Sequence, residues 1–282
     1  MKHFIFFCGL LAGLLLSGCF EHREAPERLV SAVGIEAARQ LRDTVQKVDL
    51  SGGRMGRIPE DLAEMPRLEC LLLRGAEAAE FGVLPLLGNL RLLDLSAMRL
   101  ARVPEEVTRL ARLQMLYLSD NALTNLPAGV GALGGLTYLN LDRNRLAALP
   151  ESLGELRSLR WLRLNQNQLV ALPGTVGALA QLQRLYLRDN RLRTLPEALV
   201  ECSLIEDLAL SGNQLDAFPE LLTRLPRLRN LDLSGNPLAT FPEDAALARM
   251  ASLRLLTLTR CGVAPEMQKR LRAALPKCLI TF

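Results

Sequence analysis

Residues 113–135 read LQMLYLSDNALTNLPAGVGALGG. Leu113, Leu116 and Leu118 set alternate positions inward, the period of a strand that buries one face. Asn121 follows the strand, then Leu123, then the pair Leu126-Pro127. The pattern returns as LTYLNLDRNRLAALPESLGELRS from Leu136, LRWLRLNQNQLVALPGTVGALAQ from Leu159 and LQRLYLRDNRLRTLPEALVECSL from Leu182. In all, copies start at Val45, Leu68, Leu90, Leu113, Leu136, Leu159, Leu182, Ile205, Leu228 and Leu253, with steps of 22 or 23 residues until a last step of 25. The copy from Leu68 is degenerate. A unit this short cannot bury its own leucines, so the copies must stack and share one core.

The consensus LxxLxLxxNxLxxLPxxLxxL resembles the leucine-rich repeat, over Val45 to about Gly262. The resemblance implies an α/β solenoid, a horseshoe with a parallel concave sheet, short convex segments and terminal caps. It also implies that Asn121, Asn144, Asn167, Asn190, Asn213 and Asn236 are buried scaffold, bonded to backbone of their own turn and of the adjacent coil. Pro127, Pro150, Pro173, Pro196, Pro219 and Pro242 suit a position outside the sheet ladder, having a fixed φ and no N–H. Terminal coils need covers. Residues 26–44 are expected to form a helical N-terminal cap, with a short amphipathic helix across PERLVSAVGIEAARQL that Gly34 weakens. Residues 263–282 are expected to close the solenoid at about Gly262 with a helix over Pro265–Leu275 and a final extended segment, CLITF.

Composition removes several kinds of chemistry. The two histidines are His3 and His22, so nothing from Arg23 onward can serve in a Ser-His-Asp or Cys-His pair or as a histidine ligand of zinc. The cysteines fall at 8, 19, 70, 202, 261 and 278 with no CxxC pair, which argues against a four-cysteine metal site. No cofactor or metal is expected. Lys+Arg number 34 against 30 Asp+Glu, too even a balance to point to nucleic acid.

The first twenty residues stand apart from the repeat. Phe4 to Leu16 carries no charge, is too short to span a bilayer, and has the length of a signal-peptide apolar region. Leu16-Ser17-Gly18-Cys19 follows it and resembles the lipobox of bacterial lipoprotein signal peptides. That resemblance implies a signal peptide over 1–18, cleavage after Gly18 and acylation of Cys19. Residues 19–25 would then be a short lipidated tether. The six residues Phe20–Ala25 reach roughly 20 Å when extended, holding the domain near the membrane. Phe20 stands where Asp favours inner-membrane retention in enteric lipoproteins, which leans the localisation toward the outer membrane.

With the register known, positions 3, 5, 7 and 8 of each copy are expected to face solvent on the concave side. The four middle copies place Met115, Tyr117, Ser119 and Asp120; Tyr138, Asn140, Asp142 and Arg143; Trp161, Arg163, Asn165 and Gln166; and Arg184, Tyr186, Arg188 and Asp189 there. The three tyrosines and one tryptophan of the chain are all among them. Exposed strand positions favour aromatics in general. Clustering with Arg143, Arg163, Arg184 and Arg188, however, matches the composition of protein–protein hot spots. Met115, Tyr117, Tyr138, Arg143, Trp161, Arg163, Arg184, Tyr186 and Arg188 are therefore the candidate partner-binding residues. Arg145, Arg191 and Arg193 extend the basic character along the rim, and Asp120, Asp142 and Asp189 dilute it. The expected activity is non-enzymatic binding of a protein partner by a membrane-anchored lipoprotein. The alternative is an envelope or surface component recognising carbohydrate or peptidoglycan. Asp207 and Asp232 sit on adjacent strands but without a cleft to make them catalytic. Among the thiols, Cys202 is expected in the core and Cys70 facing outward. Export permits a disulfide between Cys261 and Cys278.

Overall fold

The computed structural model describes residues 29–282. Among these residues, twelve three-residue strands form one parallel sheet in strict chain order. They are β1 (Ser31–Val33), β2 (Lys47–Asp49), β3 (Cys70–Leu72), β4 (Leu92–Asp94), β5 (Met115–Tyr117), β6 (Tyr138–Asn140), β7 (Trp161–Arg163), β8 (Arg184–Tyr186), β9 (Asp207–Ala209), β10 (Asn230–Asp232), β11 (Leu255–Thr257) and β12 (Leu279–Thr281). Strands β2 to β11 belong to the ten repeats, and β1 and β12 come from the two ends. The architecture is a leucine-rich-repeat solenoid.

The core follows from the strand period. The middle residue of every repeat strand, such as Leu116, Leu139, Leu162 and Leu185, points inward and is at most 2% exposed. Strands β2 to β9 are each followed by a turn and a convex 3₁₀ segment, which in all but the second coil starts after the proline that follows an inward apolar residue, as Pro127 does for Ala128–Ala132 and Pro150 for Glu151–Glu155. These segments stack closely where glycine recurs. A Cβ on Gly154 would lie 2.4 Å from the Thr175 carbonyl oxygen, and one on Gly177 2.5 Å from that of Ala198. The turn asparagines bind coil to coil. Asn144 Nδ2 donates to Leu118 O (2.9 Å) and Leu141 O (3.0 Å), while its Oδ1 accepts the Leu123 N–H (3.1 Å). The same set recurs at Asn167, Asn190 and Asn213. A buried amide with all its main partners supplied fixes the turn without an orphaned dipole.

At the N-terminal end the expected helix over 26–41 is replaced in part by strand. Among the described residues 29–41, Ser31–Val33 pair with β2 and only Ile35–Gln40 (α1) is helical. Gly34 at φ +81° makes the junction, and its N–H bonds to Asp49 O. Pairing explains the difference: without β1, the outer edge of β2 would be left open, whereas an amphipathic helix alone satisfies no backbone edge. The ninth coil is two residues longer and uses them for a short α-helix, Asp244–Leu247 (α2), in place of the 3₁₀ segment. The last helix, Pro265–Ala274 (α3), precedes β12, which pairs with β11.

The thiols at 70, 202, 261 and 278 are all free. Cys261, in the Asn slot of the last coil, donates through Sγ to Leu233 O (3.1 Å), imitating one of the amide's bonds. Cys202 is fully buried, with Sγ on Val176 O (3.2 Å). Cys70 does not face solvent as expected. It is 8% exposed because Leu92 of β4 and Lys47 of β2 flank it in register, and burial pushes its thiol up to about 11. Among the described residues no helix is long and apolar enough to cross a membrane. The expected signal peptide and tether, with Cys19, lie outside the described residues.

Candidate functional site: the concave aromatic face

Parallel pairing without slippage turns each repeat position into a row across the sheet. Position 3 runs Cys70, Leu92, Met115, Tyr138, Trp161, Arg184, Asp207. Position 5 runs Leu72, Asp94, Tyr117, Asn140, Arg163, Tyr186, Ala209. The nine candidate residues thus lie on four consecutive strands and the turns that follow them. The apolar row begins earlier than the candidate set, since Cys70, Leu72 and Leu92 continue it toward the N-terminus. The same repeat positions in the second and third copies could have found these three.

The aromatics touch. Tyr117 and Tyr138 have ring centroids 5.0 Å apart, and Tyr138 meets Trp161 edge-on at 5.8 Å. Arg184 lies over the Trp161 ring at 4.3 Å, and Arg163 over Tyr186 at 5.5 Å. Tyr138 is not solvent-facing as expected. Enclosed by its two aromatic neighbours, it is 4% exposed, and burial holds its hydroxyl up to about 12. Burial likewise raises Tyr117 and Tyr186 above the ordinary tyrosine value. Ser119 and Asp142, also expected on the surface, are buried. Ser119 Oγ bonds to Ser96 Oγ (3.1 Å) of the preceding coil. Asp142 accepts the Asn165 N–H (2.8 Å) on Oδ1 and Arg163 Nε (2.7 Å) on Oδ2.

The arginines of the face are all engaged. Arg143 forks onto Asp120, with Nη2 to Oδ2 at 2.6 Å. Arg163 Nη2 lies 2.6 Å from Asp142, Arg184 Nε 3.0 Å from Asp207, and Arg188 Nη2 3.1 Å from Asp232 two coils away. Arg143's hydrogen bond, ahead of its charge, lowers the Asp120 carboxyl below its ordinary value. Burial opposes the Arg163 charge, but Asp142, Tyr138 and Tyr186 outweigh it and raise its value. Of the acids expected to dilute the basic character, Asp120 and Asp142 are taken up by Arg143 and Arg163, and Asp189 stays exposed. Asp207 and Asp232 are partners of arginines, and Asn230 Nδ2 also donates to Asp207 (2.5 Å).

The turn after each strand carries a common backbone feature. Position 8 is left-handed in every repeat, φ running from 54° to 70°. Glycine fills it in four coils (Gly52, Gly75, Gly212, Gly235), the middle four carry Asp120, Arg143, Gln166 and Asp189, and Ala97 and Arg260 hold it in the third and tenth. A left-handed L-residue costs on the order of 1–2 kcal/mol, and such strain gathers at functional sites.

Comparison with known proteins agrees with the fold. The model described as a leucine-rich repeat region matches residues 80–159, and that described as a leucine rich repeat matches 157–215 and 180–238. The chain therefore carries leucine-rich repeats, which typically mediate protein–protein interaction. No curated protein matches it. A leucine-rich-repeat protein of Leptospira interrogans is 28% identical, covering 90% of this chain and 76% of that one, with a TM-score of 0.62. An internalin of Listeria monocytogenes shares the fold at 18% identity, covering 88% and 70%, TM-score 0.73. The ectodomain of the Arabidopsis thaliana membrane receptor kinase GASSHO1/SCHENGEN3, solved with Casparian strip integrity factor 2, is 29% identical with a TM-score of 0.66. This chain covers 28% of that ectodomain, and 82% of this chain takes part.

Proposed function

We infer that the chain is a non-enzymatic, lipid-anchored binding protein whose concave face docks a protein partner. The observation that carries the reading is the continuous contact chain Tyr117–Tyr138–Trp161–Arg184 across four adjacent strands. Aromatic and arginine side chains held rigidly at the centre of a surface lose little entropy on docking and bury much apolar area. The carbohydrate alternative is less well supported by the same geometry. A sugar stacks on an open ring face, and guanidinium groups already lie over Trp161 and Tyr186. The anchor rests on Leu16-Ser17-Gly18-Cys19 after the uncharged run, with several acyl chains sufficient for stable attachment. An outer-membrane location is part of the same proposal. Trp161→Ala with Tyr186→Ala should abolish partner capture from envelope extract while the fold stays intact. Unchanged capture would remove the concave reading. Cys19→Ala should leave an unprocessed precursor, and normal cleavage and localisation of that variant would remove the anchor.

A further inference from the structure

The rim where the strands turn outward carries a charge pattern distinct from the face beside it. Positions 9–13 of the third to seventh coils, residues 98–102, 121–125, 144–148, 167–171 and 190–194, contain five arginines and no carboxylate. Acids return only outside this stretch, as Glu77 and Glu80 in the second coil and Asp216 in the eighth. Arg99, Arg145 and Arg191 occupy the same repeat position in alternate coils, with Arg102 and Arg193 beside them. All five are exposed. Among the described residues none pairs with a carboxylate, and Arg193 Nε reaches only Gln214 Oε1 (3.4 Å). Adjacent strands lie about 4.8 Å apart, so the three repeat-equivalent arginines stand roughly 10 Å apart along the solenoid.

This row contrasts with the concave arginines, each of which is neutralised by an aspartate. The two features share the same coils. An occupant of the face therefore meets a neutral aromatic strip and, along one flank, an uncompensated cationic one. We propose that the partner element is an acidic, amphipathic segment of a protein, lying across the strands. Its apolar side chains pack on Met115, Tyr117 and Trp161, and its carboxylates meet Arg99, Arg145 and Arg191. Carboxylates about 10 Å apart occur three residues apart in an extended chain, or two turns apart in a helix. Nucleic acid fits the rim poorly. Each strand of a duplex carries a phosphate about every 3.4 Å of helix axis, some three times the density of the arginine row.

The inference rests on the concave-face reading and is tested separately from it. A phage library of random 16-residue peptides is panned on the immobilised full chain. Selected peptides are then titrated by the fluorescence of Trp161, the only tryptophan. The proposal predicts enriched sequences rich in Asp or Glu and apolar residues that perturb Trp161. Their affinity should fall roughly tenfold or more in R99E/R145E/R191E and fall again as salt is raised. Neutral or basic peptides that perturb Trp161 and ignore the charge reversal would overturn the acidic partner and leave the concave site standing. Peptides that leave Trp161 unchanged, or no enrichment at all, would overturn both. A 16-nucleotide single strand binding more tightly than every selected peptide would replace the protein segment with nucleic acid.

Discussion

The fifth to seventh coils and the eighth and ninth have the same inward leucines, turn asparagines and strand register, yet opposite concave surfaces. In the former, Tyr138, Trp161 and Arg184 stack in one contact chain with Arg163 over Tyr186 beside it, and the left-handed position holds Arg143, Gln166 and Asp189. In the latter, Ala209, Ser211 and Ser234 line the strands and the left-handed position reverts to Gly212 and Gly235. Since the scaffold is common to both, scaffold needs cannot explain the difference. Large aromatic and arginine side chains are placed on the concave face of the middle coils, and the eighth and ninth coils show that the fold does not require them there. Gly212 is also constrained by its neighbour, since a Cβ there would lie 2.3 Å from an Asp189 carboxylate oxygen.

The sharpest way to break the comparison is to exchange adjacent residues on opposite faces. Leu162 is fully buried, so Leu162→Ala should destabilise the solenoid by about 2–5 kcal/mol. Trp161→Ala, one residue away and half-buried, should cost less, about 1–2 kcal/mol, from the stacking and partial burial of its ring. Thermal unfolding of the two variants separates them, and equal losses would mean that the concave aromatics are core. Next in size is Asp142→Ala, which leaves the half-buried Arg163 guanidinium and the Asn165 N–H without their acceptor. A loss of about 2–3 kcal/mol is expected, and a smaller loss for Asp142→Asn would show that hydrogen bonding carries more of it than charge.

Smaller still, Gln166→Gly should raise stability by about 0.5–1 kcal/mol by relieving the left-handed strain, net of glycine's larger unfolded-state entropy. The same variant should weaken partner capture, so a gain in stability with full capture would detach the strain from function. The smallest effect concerns acid. Asp120 is held below its ordinary value of 3.8 in the folded chain by Arg143. Its contribution is complete above about pH 4 and is lost as pH falls through the lower folded value. Asp120→Asn should flatten that part of the stability profile, and an unchanged profile would mean that the pair is silent.

Most of the scaffold was legible because its causes are periodic. A 23-residue step places leucines, asparagines and prolines at fixed phases, and phase determines which way a side chain points. The concave aromatics were legible for the same reason. What escaped lies between coils or outside the repeat. The pairing of Arg163 with Asp142 links position 5 to position 7 of the coil before, and Arg188 reaches two coils to Asp232. Side-chain length and rotamer decide such pairs, and phase alone does not. Tyr138 and Cys70 were misread as exposed because a concave position is covered when both lateral neighbours are large. The strand before Gly34 has no repeat to announce it. Its pairing follows from the unsatisfied edge of β2, which shows only once the sheet is built.

Photo-crosslinking in the native envelope tests the central claim most directly, with the probe placed at Trp161 in the middle coils, Asn230 in the flanking coils or Glu151 on the convex side. The account predicts one discrete protein adduct from position 161 and none from 230 or 151. Equal adducts from all three positions, or an adduct only from the convex side, would contradict it.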